Sequence, residues 1–136
     1  MYVERGTPAY HIAPNERGQT ISVIATIAAD GFFAPPMVIY PGKREMAYLE
    51  NGLPPNSTVT LTESGYANAD TFVEYLNHFQ SNRRFPDRPC VLICDGHASH
   101  FSIQAIEMAR SSNINILIMP AHCTHPYSYS IQVLNL

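Results

Sequence analysis

Cys90-Val91-Leu92-Ile93-Cys94-Asp95-Gly96 is the stretch from which the fold of this chain can be read. Five apolar residues, two of them β-branched, form a run too short for a helix and of the right length for a strand covered on both faces. The run stops at Asp95-Gly96, a turn pair. Some twenty residues on, Ile114 to Met119 repeats the pattern. Between the two lies a helical stretch that starts near Ser99 or Ser102 and reaches about Arg110, with Ile103, Ile106 and Ala109 on one side and Asn113 as its stop. Strand, helix and strand at these lengths predict a crossover unit with its two strands parallel.

Upstream, Thr20 to Ala29 is apolar and β-branched, Asp30-Gly31 offers a tight turn, and Pro36 to Tyr40 resumes an extended pattern, which predicts a β-hairpin. A loop from Pro41-Gly42 to Pro54-Pro55 leads to a short strand at Thr58 to Leu61. Asn68 then caps a helix over 69–81, with Asp70 in its first turn and Phe72, Leu76 and Phe79 on one face. Residues 1–18 show no period and read as an irregular N-terminal segment. The eleven prolines punctuate these elements and do not form a linker. The expectation is a single α/β domain over 1–136, built on a mixed sheet with flanking helices.

Bulk composition narrows the function. An apolar fraction of 46% suits a chain that buries a core, and no segment approaches the roughly 20 apolar residues of a membrane span. Cys90, Cys94 and Cys123 make an odd set, with two in an apolar strand, so free thiols in the nucleus or cytoplasm are expected. A net charge of -3 gives no electrostatic argument for nucleic acid. The small basic clusters, Lys43-Arg44 and Arg83-Arg84 with Arg88, read more readily as solvated loops than as phosphate contacts.

Asp95 is the leading candidate for chemistry, because it follows the last apolar residue of a strand and so stands at the carboxyl end of a sheet, where α/β folds place ligands. A turn aspartate stabilising the Asp-Gly corner is the structural alternative. His97, Ser99 and His100 follow Asp95, and Pro120, His122, Cys123, Thr124 and His125 follow the next strand, so both loops are expected at one edge. Two His-x-x-His pairs beside cysteines raise a zinc site of His97, His100, His122 and His125, although no Cys-x-x-Cys knuckle supports it. His97 or His125 would also suit proton transfer near neutral pH. No Gly-x-Ser-x-Gly turn occurs, which sets aside a serine nucleophile.

The run Val91 to His100, with the later run Ile114 to His125, resembles the core of the DDE superfamily endonucleases of pogo/Tigger/Jerky-type, Tc1/mariner-related transposases. Glu16 to Val23, Ala29-Asp30-Gly31 and Pro35 to Lys43 are similar to the same family's sheet hairpin, so the resemblance covers about 16 to 125. It implies an RNase H-like fold, an antiparallel hairpin followed by parallel βαβ strands, incomplete at both ends. It also implies three carboxylates holding two divalent ions, Mg²⁺ or Mn²⁺, for DNA cleavage and strand transfer. Asp95 corresponds to the second carboxylate, with His97 and His125 as outer partners of the site. The first is expected on a strand ahead of this stretch, since Glu4 lies in a polar context. The third position falls on Ile131, within a divergent tail over 126–136. The implied reading is a catalytically inactive remnant that binds DNA weakly, and a missing first strand leaves an exposed sheet edge open to self-association. A co-opted, non-catalytic DNA- or protein-interaction module is the rival, and the zinc-binding domain a third reading.

Overall fold

The computed structural model describes residues 20–44, 47–96, 102–119 and 130–135. Two strands open the described chain, β1 (Ser22–Ala28) and β2 (Phe33–Pro41), and they pair antiparallel as expected. The turn between them works as its sequence suggests. Gly31 takes a positive φ of 83, the Gly31 N–H donates to the Ala28 carbonyl at 2.9 Å, and the Asp30 carboxylate accepts from the Phe32 N–H at 3.0 Å. After a 3₁₀ turn at Ala47–Glu50, β3 (Thr58–Thr62) pairs parallel to β2.

Helix α1 (Ala69–Asn82) begins at Asn68, whose side chain accepts from the Thr71 N–H at 2.9 Å while Thr71 Oγ1 accepts from the Asn68 N–H at 2.8 Å. Phe72, Tyr75, Leu76 and Phe79 are buried along one face at helical spacing. Each large side chain so buried contributes on the order of 2 kcal/mol, which holds the helix to the sheet more firmly than propensity does. Strand β4 (Cys90–Cys94), helix α2 (Ile103–Ser111) and strand β5 (Ile114–Ile118) form the expected crossover, with β4 and β5 parallel. Ser102 caps α2 by accepting from the Ala105 N–H at 3.1 Å, and Asn113, at a positive φ of 54, ends it.

Three burial expectations need correction. Cys90, Leu92 and Cys94 are fully buried, but Val91 and Ile93 are only half-buried, so β4 is not equally covered on its two faces. Its alternation is that of a strand with helices packed against one side. β5 is not a buried strand: it pairs with β4 alone, ends the sheet, and leaves Leu117 54% exposed. In α2 the residues facing the core are Ala105 and Ala109, while Ile103 and Ile106 are 74% and 46% exposed. Small residues there let α2 approach the sheet and α1 closely, which turns the bulkier isoleucines outward.

The largest departure is at the end of the chain. Ser130–Asn135, inside the expected divergent tail, forms β6, and β6 lies in the middle of a six-stranded sheet ordered β3-β2-β1-β6-β4-β5. It runs parallel to β1 and antiparallel to β4. Among the described residues β6 fills the place between β1 and β4, and the sheet's edges are β3 and β5. Beneath β1 and β4, Tyr75 of α1 is hydrogen-bonded to Thr26 of β1 and lies in the field of Cys94 and Cys90 of β4. One core cluster joins β1, β2, both helices, β4 and β5.

A candidate carboxylate at the sheet edge

Strands β2, β3, β4 and β5 share one direction, and β1 and β6 run against them. The ends of β4 and β5 therefore lie at one edge. The Met119 N–H donates to the Cys94 carbonyl at 2.8 Å, and a Cβ on Gly96 would lie 3.3 Å from the Met119 carbonyl oxygen. Asp95 and Gly96 stand there, half-buried and exposed respectively. The expectation that the two loops leave from one edge holds for their first residues. His97, Ser99, His100, His122, Cys123 and His125 lie outside the described residues, and so do the zinc reading and the proposed outer partners of Asp95.

What stands level with Asp95 follows from register. Cys94 pairs with Ile118 on β5, so the next position is Met119. On β6 the ladder ends where Ile93 pairs with Gln132, and counting two positions past that end puts Asp95 opposite Ser130. Ser130 pairs in turn with Ala25 of β1. Neither neighbouring strand offers a carboxylate at this level. Ile131, the expected stand-in for a third acid, occupies a strand position one step along β6.

Glu63 follows β3 at the same edge. Four strand spacings separate β3 from β4, roughly 19 Å, which is too far for a shared metal ion. Glu63 also forms a surface ion pair with Lys43 at 2.9 Å. Among the described residues no group of three or more His, Cys, Asp or Glu side chains is gathered to hold a metal. A two-metal centre needs several oxygen ligands for each hard cation, and the donors among the described residues do not fit one.

Lys43, Arg44, Arg84 and Arg88 are exposed, as the solvated-loop reading expects, and one residue of the basic clusters departs from it. Arg83, expected at the surface, is 7% exposed. Its Nη1 donates to the Arg88 carbonyl and to Cys90 Sγ, and its Nη2 to the Pro86 and Ser112 carbonyls. Arg84 pairs with Asp30 at 3.1 Å, and Arg84 and Arg88 both lie over the Phe85 ring. Sequence reasoning missed Arg83 because a run of arginines in a polar stretch looks the same whether one of them turns inward or none does. The free thiols of Cys90 and Cys94 are as expected, and both are buried. Burial pushes the Cys94 thiol up to about 12, with the Asp95 carboxylate adding to the rise. Burial raises Cys90 too, against the opposing pull of Arg83.

With that geometry in place, comparison with known proteins gives two matches. The family model described as DDE superfamily endonuclease matches residues 18–134, running on past residue 125 into the stretch read as divergent. A protein of Cochliobolus lunatus named MFS-type transporter clz9 is 32% identical over 127 residues, which cover 89% of this chain and 13% of that protein. No solved structure matches significantly. Among the described residues no helix is long and apolar enough to cross a membrane.

Proposed function

The chain belongs to the DDE superfamily endonucleases, a family of generally divalent-metal-dependent enzymes acting on DNA, and from that premise we propose that it is a transposase-derived, RNase H-like nuclease segment that does not cleave DNA by itself. The observation that carries the reading is that, among the described residues, the register positions beside Asp95 on its two flanking strands are Ser130 and Met119 and not carboxylates. One carboxylate binds a hydrated Mg²⁺ or Mn²⁺ weakly, and it does not hold two ions in line with an attacking and a leaving oxygen. Asp95 keeps the ancestral ligand position without the set that made it catalytic.

DNA affinity in this segment is proposed to be weak. The net charge is -3, Arg83 is turned inward, and Arg84 and Lys43 are ion-paired. The same features favour a second reading, a non-catalytic interaction module acting in the nucleus or cytoplasm. The deciding experiment is nicking of supercoiled plasmid in Mg²⁺ or Mn²⁺ by the purified chain beside Asp95→Asn. No nicking by either is the expected outcome. Cleavage that disappears in Asp95→Asn would show that a working metal centre survives and would overturn the inactive reading.

A further inference from the structure

We propose that the outer edge of β5, together with the groove between it and α2, is a docking site for an extended acidic segment of another protein, which adds to the sheet as a strand. The backbone sets the site. The Cys90 N–H donates to the Asn113 carbonyl at 3.1 Å and the Met119 N–H to the Cys94 carbonyl at 2.8 Å, so the odd-numbered residues of this stretch turn their backbone groups toward β4. Ile114, Ile116 and Ile118 turn theirs the other way, where no strand pairs with β5 among the described residues. Sheet edges are commonly blunted by a charge, a proline or a bulge. β5 reads Ile-Asn-Ile-Leu-Ile, keeps unbroken register with β4 and carries none of these.

The groove adds side-chain selectivity to the edge. It encloses about 360 Å³ and is lined by Ile106, Ala109 and Arg110 of α2, by Asn113, and by Ile114 and Ile116 of β5. A strand added to β5 sets alternate side chains over this groove and the others beside the exposed Leu117 on the opposite face of the sheet. Apolar side chains therefore find apolar surface on both faces.

Charge decides the occupant. Arg110 is exposed beside the groove and takes part in neither of the ion pairs found among the described residues. It closes α2 just ahead of β5, so its guanidinium is offered at the end of the edge where β5 begins. A second copy of β5 brings asparagine and no carboxylate to this cation. A nucleic acid brings charge but no alternating row of N–H and C=O groups to meet Ile116 and Ile118. The partner that answers both demands is an extended protein segment, apolar in alternation and acidic at the Arg110 end.

The test uses the full chain with an acetylated and amidated peptide, Glu-Thr-Val-Leu-Val-Thr-Glu, whose palindromic order brings a glutamate to the Arg110 end in either strand direction. Amide hydrogen exchange followed by NMR reads the edge directly. In the free chain the Ile116 and Ile118 amides should exchange fast, and those of Asn115 and Leu117, turned toward β4, slowly. The peptide should slow Ile116 and Ile118 and leave the other two as they were. Arg110→Gln should weaken binding about fivefold, the scale of one exposed ion pair, and so should lysine in place of both glutamates of the peptide. Arg110→Glu should reverse the preference between the two peptides. The readout is independent of nuclease chemistry. Unchanged exchange at Ile116 and Ile118 in millimolar peptide would overturn the proposal, and so would equal binding of the two peptides by the parent chain. Slow exchange at these amides without peptide, lost on dilution, would overturn it too, by showing a second copy on the edge.

Discussion

The two ends of β4 are built on opposite terms. At its start, Cys90 accepts from the buried Arg83, whose guanidinium also ties down the carbonyls of Pro86, Arg88 and Ser112 and so fastens the end of α1, the approach to β4 and the end of α2 to one another. At its finish, Asp95 has Ser130 and Met119 as its register neighbours and no second carboxylate level with it. One end uses a buried charge to hold the fold; the other sets a carboxylate at the edge of the sheet, with no second carboxylate at its register positions among the described residues. A strand-end carboxylate does not by itself make a metal site, because such a site needs oxygen ligands from several elements in register.

Three experiments sharpen or break that contrast. The largest effect is expected at the Arg83 end. Arg83→Met keeps most of the stem packing but strips several buried acceptors of their donor, and should cost about 3 kcal/mol, a fall in Tm on the order of 10 °C. A loss below about 1 kcal/mol in thermal and urea unfolding would mean that the guanidinium is not the fastening it looks like. Asp95→Asn should sit within about 0.5 kcal/mol of the parent in the same assays.

The second effect is alkaline. The folded Cys94 thiol titrates at about 12 and Cys90 is also raised, while in the unfolded chain a thiol ionises near about 8.5. A folded pKa above the unfolded one adds stability below the unfolded pKa and loses it as pH climbs toward the folded value. Stability should therefore fall between about pH 8.5 and 12, and Cys94→Ala, though less stable throughout, should show a shallower slope over that window. An unchanged slope would remove Cys94 from the account.

The smallest effect probes the Asp95 end directly. Ser130→Asp would set a second carboxylate beside Asp95 on the adjacent strand, at a cross-strand separation of about 5 Å. Two carboxylates there repel without metal and bind it together. Mn²⁺ at millimolar concentration should then raise the Tm of Ser130→Asp by a few degrees, about 1 kcal/mol, and leave the parent and the Ser130→Asp/Asp95→Asn double variant unmoved. A variant indifferent to Mn²⁺ would show that Ser130 is not level with Asp95.

Local signals were legible where the chain solves its problems locally. Asp30-Gly31 announces its turn because glycine alone takes the positive φ cheaply, Asn68 announces α1 because it can satisfy an orphan N–H, and Cys90 to Cys94 reads as a strand from its length and branching. The hairpin, both helices and the parallel β4–β5 crossover followed from such signals, and so did the position of Asp95 at a strand end. Burial was misjudged where composition and position part company: Leu117 and Ile106 are as apolar as any core residue, and only β5's place at the edge and α2's alanine face explain their exposure.

By itself, then, the sequence determined β1 to β5, both helices and their order, and it placed Asp95 at a strand end. Tertiary structure alone decided that Ser130–Asn135 fills the sheet between β1 and β4, and that Arg83 turns inward. The reason is physical. Turns, caps and strand runs are stabilised by groups a few residues apart, whereas the pairing of β6 with β1 depends on a backbone ladder between segments about a hundred residues distant, and backbone donors and acceptors carry no residue-specific signal.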